Sequence, residues 1–148
     1  VGVTEPQATF SACFGAAFLV WPPSRYAEML AEKMRKHGSN AWLVNTGLIG
    51  GAYGTGKRID LKSTRAIIDA IHNGSLQNVD TVKDEVFGMD IPTTCEGVDP
   101  KILVPKNAWS DSNAYTEQAK KLGVLFNENF KKYEDQSSEE ILNAGPNV

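Results

Sequence analysis

The residues best suited to chemistry gather in one stretch, Asn45 to Ile59, which reads Asn-Thr-Gly-Leu-Ile-Gly-Gly-Ala-Tyr-Gly-Thr-Gly-Lys-Arg-Ile. Its five glycines reach backbone conformations closed to other residues and let main-chain N–H groups approach a ligand. Lys57 and Arg58 follow at once, so the stretch suits an anionic or aromatic ligand. Gly51 to Lys57 matches the phosphate-cradling pattern G-x-x-x-x-G-K-[ST] up to the lysine, but Arg58 stands where the magnesium-binding hydroxyl belongs. A guanidinium cannot ligate a cation, although it pairs with phosphate oxygens and stacks on flat rings. The segment is therefore poorly made for a metal–triphosphate complex.

Other reactive side chains are sparse. His37 and His72 are the only histidines, each near the C-terminal end of a helical pattern, where a partly positive imidazole is favoured for structural reasons. Neither has ligands at zinc spacing. Cys13 and Cys95 stand in unrelated contexts, and both are expected to be reduced, with Cys13 a small packed hydrophobe and not a nucleophile. The carboxylate pairs Glu134-Asp135 and Glu139-Glu140 read as solvated helix faces. Asp60 precedes a helix and reads as its N-cap before it reads as an acid or base. Thr64 falls one turn inside that helix, where its hydroxyl either faces the loop or bonds back to a carbonyl.

These residues need elements to hold them. Ala41 to Val44 is a short apolar run that predicts a buried strand feeding the loop, and Phe10 to Val20 predicts a buried strand or tightly packed turn. Beyond Arg58, the stripe Leu61, Thr64, Ile67, Ile68 and Ile71 predicts a helix ending at Asn73-Gly74, with its N-terminal N–H groups close to whatever the loop binds. Upstream, Ser24 offers an N-cap for a helix whose face Tyr26, Met29, Leu30 and Met34 points to the core, with Gly38 as its stop. Gly74 to Asp84 reads as polar connection and Glu85 to Ile91 as a strand before Pro92. Thr93 to Pro105 is a loop anchored by Ile102-Leu103-Val104. Ser110-Asp111-Ser112 opens the longest helix, striped by Tyr115, Ala119, Leu122, Phe126, Phe130 and Tyr133, and Ser137 with Glu140 forms a capping box for a last short helix ending at Gly145-Pro146.

A chain of 148 residues with net charge −3 suits one domain of mixed α/β (α+β) class. Basic residues are interspersed with acidic ones, which argues against a nucleic-acid partner. No run approaches the ~18 apolar residues of a membrane span, and the N-terminus lacks the basic and apolar regions of a signal peptide. A soluble, unexported, cytoplasmic protein is expected, and a homo-oligomer stays open. Val1 has no Met before it and falls beside a recognisable motif, so the chain reads as a piece of something longer.

That motif is Thr4-Glu5-Pro6-Gln7-Ala8-Thr9-Phe10-Ser11-Ala12-Cys13-Phe14-Gly15-Ala16. With the glycine loop and Thr64-Arg65-Ala66-Ile67-Ile68, it resembles the C-terminal part of the ATP-dependent phosphoenolpyruvate carboxykinases, and the likeness runs to Ala144-Gly145-Pro146. The resemblance implies that residues 1–148 are one C-terminal segment of the nucleotide-binding lobe, incomplete without upstream chain, with residues 1–9 the trailing edge of a lid loop. It implies a carboxy-lyase of gluconeogenesis that turns oxaloacetate and ATP into phosphoenolpyruvate, CO₂ and ADP with Mg²⁺ and Mn²⁺. Arg58 and Ile59 match the positions that contact the adenine nucleotide, Thr64 the one that hydrogen-bonds it, and Lys57 would be a secondary contact. The catalytic residues, metal ligands, triphosphate loop and oxaloacetate-binding arginines would lie upstream of Val1, so the segment alone is expected to be inactive. Read without the resemblance, the Gly47–Arg58 loop also fits a stand-alone, non-catalytic nucleotide- or phosphate-binding module.

Overall fold

The structure, a computed structural model, describes residues 2, 4, 9, 10 and 16–148. The readings placed on Cys13 and on most of residues 1–9, the lid edge included, lie outside the described residues. Pro23–His37 forms α1, opened by Pro23 at its first position and closed at Gly38, whose φ of 60° turns its N–H back onto the Met34 carbonyl. Proline at that position is pre-set for helix and lacks a donor that would go unused. The helix therefore starts one residue before the expected cap, and Ser24 Oγ instead donates to Gln136 Oε1 at 2.9 Å.

Leu48–Ile49 (β1) and Lys57–Arg58 (β2) pair antiparallel, Leu48 with Arg58 and Ile49 with Lys57. The helix α2, Leu61–His72, follows within three residues and stops at Asn73, just before Gly74 at φ 77°. Thr81–Lys83 (β3) and Asp90–Pro92 (β4) make a second antiparallel pair. Two short helices, Pro100–Leu103 (α3) and Pro105–Ala108 (α4), precede the long helix α5, Ser112–Phe130; a 3-10 turn, Lys131–Gln136, and α6, Glu139–Leu142, close the chain. Among the described residues the class is mixed α+β, with two separate two-stranded sheets.

The main core is small. Ala70, Leu76, Cys95 and Val98 are buried, with Trp42, Ala66, Ile67, Ile71, Ile102 and Leu103 packed against them. One face of α2, formed by Ala66, Ile67, Ala70 and Ile71, therefore sits on the 95–103 segment, while Leu61 and Ile68 of its expected stripe stay exposed. A second contact zone joins α5 to the chain end: a Cβ on buried Gly123 would stand 3.1 Å from Val86 and 2.7 Å from Val148, and Asn147 N–H donates to the Val86 carbonyl at 2.7 Å.

Several expectations are corrected. Ala41–Val44 forms no strand, because no strand lies alongside it; Leu43 is 85% exposed and only Trp42 reaches the core. The described part of the Phe10–Val20 run is a 3-10 turn, Ala16–Phe18, with Phe18 and Val20 exposed. No residue of α1 is buried, and Leu30 and Met29 of its expected inward face lie open. Glu85 to Phe87 is a turn, because the Asp84 carboxylate accepts from the N–H groups of Val86 and Phe87 and Gly88 follows at φ 66°. The strand shrinks to β4 and pairs with β3, inside what reads as polar connection. Helices α3 and α4 replace the expected loop, and the cap of α6 is Ser138, since Ser137 Oγ is spent on the Tyr133 carbonyl.

Candidate functional site

The glycine loop is the tip of the β1–β2 hairpin. Gly50 sits at φ 77° and Gly54 at φ 89°, where only glycine is unstrained. A Cβ at Gly50 would come within 2.9 Å of the Ala108 carbonyl, so the loop presses against the end of α4. A Cβ at Gly56 would collide with the Gly51 carbonyl across the tip. These positions need glycine for turn and close packing, and the result is a hairpin, not a loop wound onto a helix start. Lys57 lies in a strand four residues before α2 begins, so the phosphate-cradling geometry suggested by Gly51 to Lys57 is not formed.

At the hairpin exit, Ile59 N–H donates to the Gly47 carbonyl at 3.1 Å, which ties the start of the site stretch to its end. Asp60 then caps α2. Its Oδ1 accepts from Ser63 N–H and its Oδ2 from the buried Ser63 hydroxyl, both at 2.8 Å. Those two bonds, the backbone one first, hold the Asp60 carboxyl below the usual carboxylate range. The expected N-cap is confirmed, with a consequence for binding. The leading N–H groups of α2 face an anion of the protein's own, so the helix start does not serve an incoming phosphate.

Thr64 is half-buried, and both its N–H and its Oγ1 donate to the Asp60 carbonyl at 3.0 Å. Its hydroxyl proton is thus committed, which leaves the oxygen as an acceptor. Thr64 is tied to Asp60 by these bonds and Ile59 precedes Asp60 in the chain, half-buried, while the Arg58 side chain is exposed. Lys57 is not brought to them. Successive strand residues face opposite sides, so Lys57 shares a face with its partner Ile49 while Arg58 shares the other with Leu48.

On the Lys57 side lies a groove of about 340 Å³ lined by Ile49, Gly50, Thr55, Lys57, Lys101, Ile102, Asn107 and Ala108. Lys101 and Asn107 escape notice in the sequence; Asp99-Pro100 and Val104-Pro105, each a proline at a first helical position, are the signals that could have placed them on α3 and α4. His37 and His72 end α1 and α2 as expected. Cys95 is a free, buried thiol that burial, with the Glu96 charge beside it, pushes up in pKa. Among the described residues no group of three or more His, Cys, Asp or Glu could hold a metal ion, and no helix is long and apolar enough to cross a membrane.

A family model described as phosphoenolpyruvate carboxykinase matches residues 1–101. A phosphoenolpyruvate carboxykinase (ATP) of Salinibacter ruber is 58% identical over 100% of this chain and 28% of its own length. The proteins of the same name from Dictyostelium discoideum and Zea mays are 54% and 56% identical, each over 99% of this chain and over 26% and 23% of their own lengths. The chain thus spans about a quarter of the length of these relatives.

Proposed function

This chain belongs to the ATP-dependent phosphoenolpyruvate carboxykinase family, and on that premise we propose that it works as the adenine-side part of an enzyme converting oxaloacetate and ATP to phosphoenolpyruvate, CO₂ and ADP. In this reading the chain is the C-terminal segment of the nucleotide-binding lobe and the enzyme serves gluconeogenesis in the cytoplasm. Phosphoryl transfer rests on positioning and on charge stabilisation by metals, Lys and Arg. In this reading the segment's share is to bind and orient the nucleoside.

The observation that carries the reading is the Asp60 junction. Arg58 presents a flat cation for the face of a purine. Ile59, anchored through its N–H to Gly47, supplies an apolar flank. Thr64, with its proton on the Asp60 carbonyl, presents an acceptor to the ring edge. An acceptor suits the exocyclic amine of adenine and repels the carbonyl that guanine carries in its place, so the junction favours ATP over GTP.

Three variants of the full-length enzyme test this. Arg58→Ala and Thr64→Val are expected to weaken ATP binding by about 1–3 kcal/mol each, the scale of a desolvated cation–π contact or a lost buried hydrogen bond. Oxaloacetate affinity is expected to change little, and Thr64→Val is expected to narrow the preference for ATP over GTP. Lys57→Ala is expected to cost less ATP affinity than Arg58→Ala. A dominant Lys57 effect with Thr64 silent, read from the ATP dissociation constants, would sink the adenine assignment in favour of a phosphate-binding loop.

A further inference from the structure

We infer that the groove between the β1–β2 hairpin and the α3–α4 segment is a second binding site, for a small phosphate monoester, held by Lys57 and Lys101. The inference rests on the hairpin's two-sidedness and stands whether or not Arg58 serves adenine.

Lys57 and Lys101 come from segments more than forty positions apart and line one groove. The ion pairs among the described residues are Arg25 with Glu28, Lys106 with Glu85 and Lys131 with Glu128, so neither groove lysine is neutralised there. Among the described residues no carboxylate lines the groove. The nearby Asp99 turns its Oδ1 onto the backbone N–H of Lys101 at 3.0 Å, as the cap of α3. Both lysines are exposed, and like charges bordering one groove favour an anion between them, which a tetrahedral dianion supplies.

The remaining lining fits the same ligand. The Asn107 amide and the Thr55 hydroxyl are neutral donors for further phosphate oxygens. Ile49 and Ile102 are apolar walls beside them, fit for a short carbon skeleton. A volume of about 340 Å³ lies at the small end of ligand pockets, which run from roughly 300 to 1,000 Å³. That is more room than a bare ion fills. The packing of Gly50 against the Ala108 carbonyl fixes the hairpin to the opposite wall, so the groove is formed before a ligand arrives.

The test uses the full-length enzyme, selectively labelled with ¹⁵N at threonine, lysine and asparagine and titrated with glycerol 3-phosphate at low ionic strength, with succinate as a carboxylate comparator. Shifts are expected at the amides of Thr55, Lys101 and Asn107. Affinity is expected to fall at least fivefold in Lys57→Gln and in Lys101→Gln, to survive in Lys57→Arg and Lys101→Arg, and to be unchanged in Lys83→Gln, which removes a charge from the other hairpin. Circular dichroism confirms that each variant folds, and the arginine variants keep the test alive should a glutamine variant fail. Binding that ignores both lysines, falls equally in Lys83→Gln, or is as tight for succinate as for the phosphate monoester would overturn the proposal. Shifts centred on Thr64 would overturn it too, by placing the phosphate outside the groove.

Discussion

Gly56→Ala probes the hairpin that separates Lys57 from Arg58. The added Cβ would strike the Gly51 carbonyl oxygen, stand 2.8 Å from the Gly51 carbonyl carbon and lie 3.1 Å from the Ile49 oxygen. All three are backbone atoms, so no side chain can swing away. Overpacking costs about 1–3 kcal/mol where neighbours adjust, and with backbone on every side the upper end, ~3 kcal/mol, is expected. At about 1.4 kcal/mol per decade, that favours hairpin opening by roughly 150-fold. Gly54→Ala makes the contrast. Gly54 has φ 89° but open space around it, so its penalty is the left-handed conformation alone, about 1–2 kcal/mol. Hydrogen exchange of the Ile59 amide, which bonds to Gly47 across the hairpin base, reads both. Gly56→Ala is expected to lose that protection by a factor several-fold larger than Gly54→Ala, with weaker ATP binding. Equal losses, or an intact Ile59 amide in Gly56→Ala, would refute the close-approach argument.

Gly123→Ala in α5 is expected to destabilise by about 1 kcal/mol in urea unfolding, because crowding against buried Val86 (about 1–3 kcal/mol) outweighs the helix-propensity gain (about 1 kcal/mol); net stabilisation would show that Val86 yields freely. Burial, with the Asp84 carboxylate at 3.3 Å from its hydroxyl, pushes Tyr115 up to about 12. Raised from 10.0, it adds stability that is present below pH 10 and lost as pH rises towards 12. Tyr115→Phe is therefore expected to flatten the fall in denaturation midpoint over that window, and an unchanged slope would exclude Tyr115 as its source. Buried Cys95, its thiol raised by burial, is expected to react slowly with an aromatic disulfide at pH 8 until denaturant is added; prompt reaction in the native state would contradict its burial. With Phe18, Val20, Leu43 and Leu61 exposed, the chain on its own is expected to bind an apolar-surface dye and unfold broadly, and a sharp, dye-silent transition would count against that.

Helices with local signals are legible in the sequence. Asp60 before the Leu61 stripe and Asp111 before the Tyr115 stripe both prove to be N-caps, each accepting from N–H groups two or three residues on. Cap and period are properties of a few adjacent residues, so no tertiary information is needed. Strands are less legible, because a strand exists only where another pairs with it. Thr81–Lys83 reads as polar connection and still pairs with Asp90–Pro92, since the Asp84 turn brings the two together. Ala41–Val44 reads as a strand and has no partner. The candidate residues divide the same way: Arg58, Ile59 and Thr64 lie within seven positions of one another and are singled out by the family resemblance, whereas Lys101 joins Lys57 in one groove through the pressing of Gly50 on α4.

Helix α1 shows where periodicity stops being informative. Tyr26, Met29, Leu30 and Met34 recur as an apolar stripe should, and the helix forms with Arg35, Lys36 and His37 complementing its C-terminal end. Yet Leu30 stays 62% exposed and no residue of the helix is buried. Hydrophobic period specifies which face of a helix is apolar, and burial requires a second surface that the period does not name. On α2 that surface is supplied by Cys95, Val98, Ile102 and Leu103, and Ile67 and Ile71 of the stripe close onto a core. On α1 it is not supplied by the described residues. The contrast places the packed part of this chain where both surfaces are present, at α2 and the 95–108 segment against which the hairpin rests, and that segment brings Lys101 to the groove that Lys57 also lines.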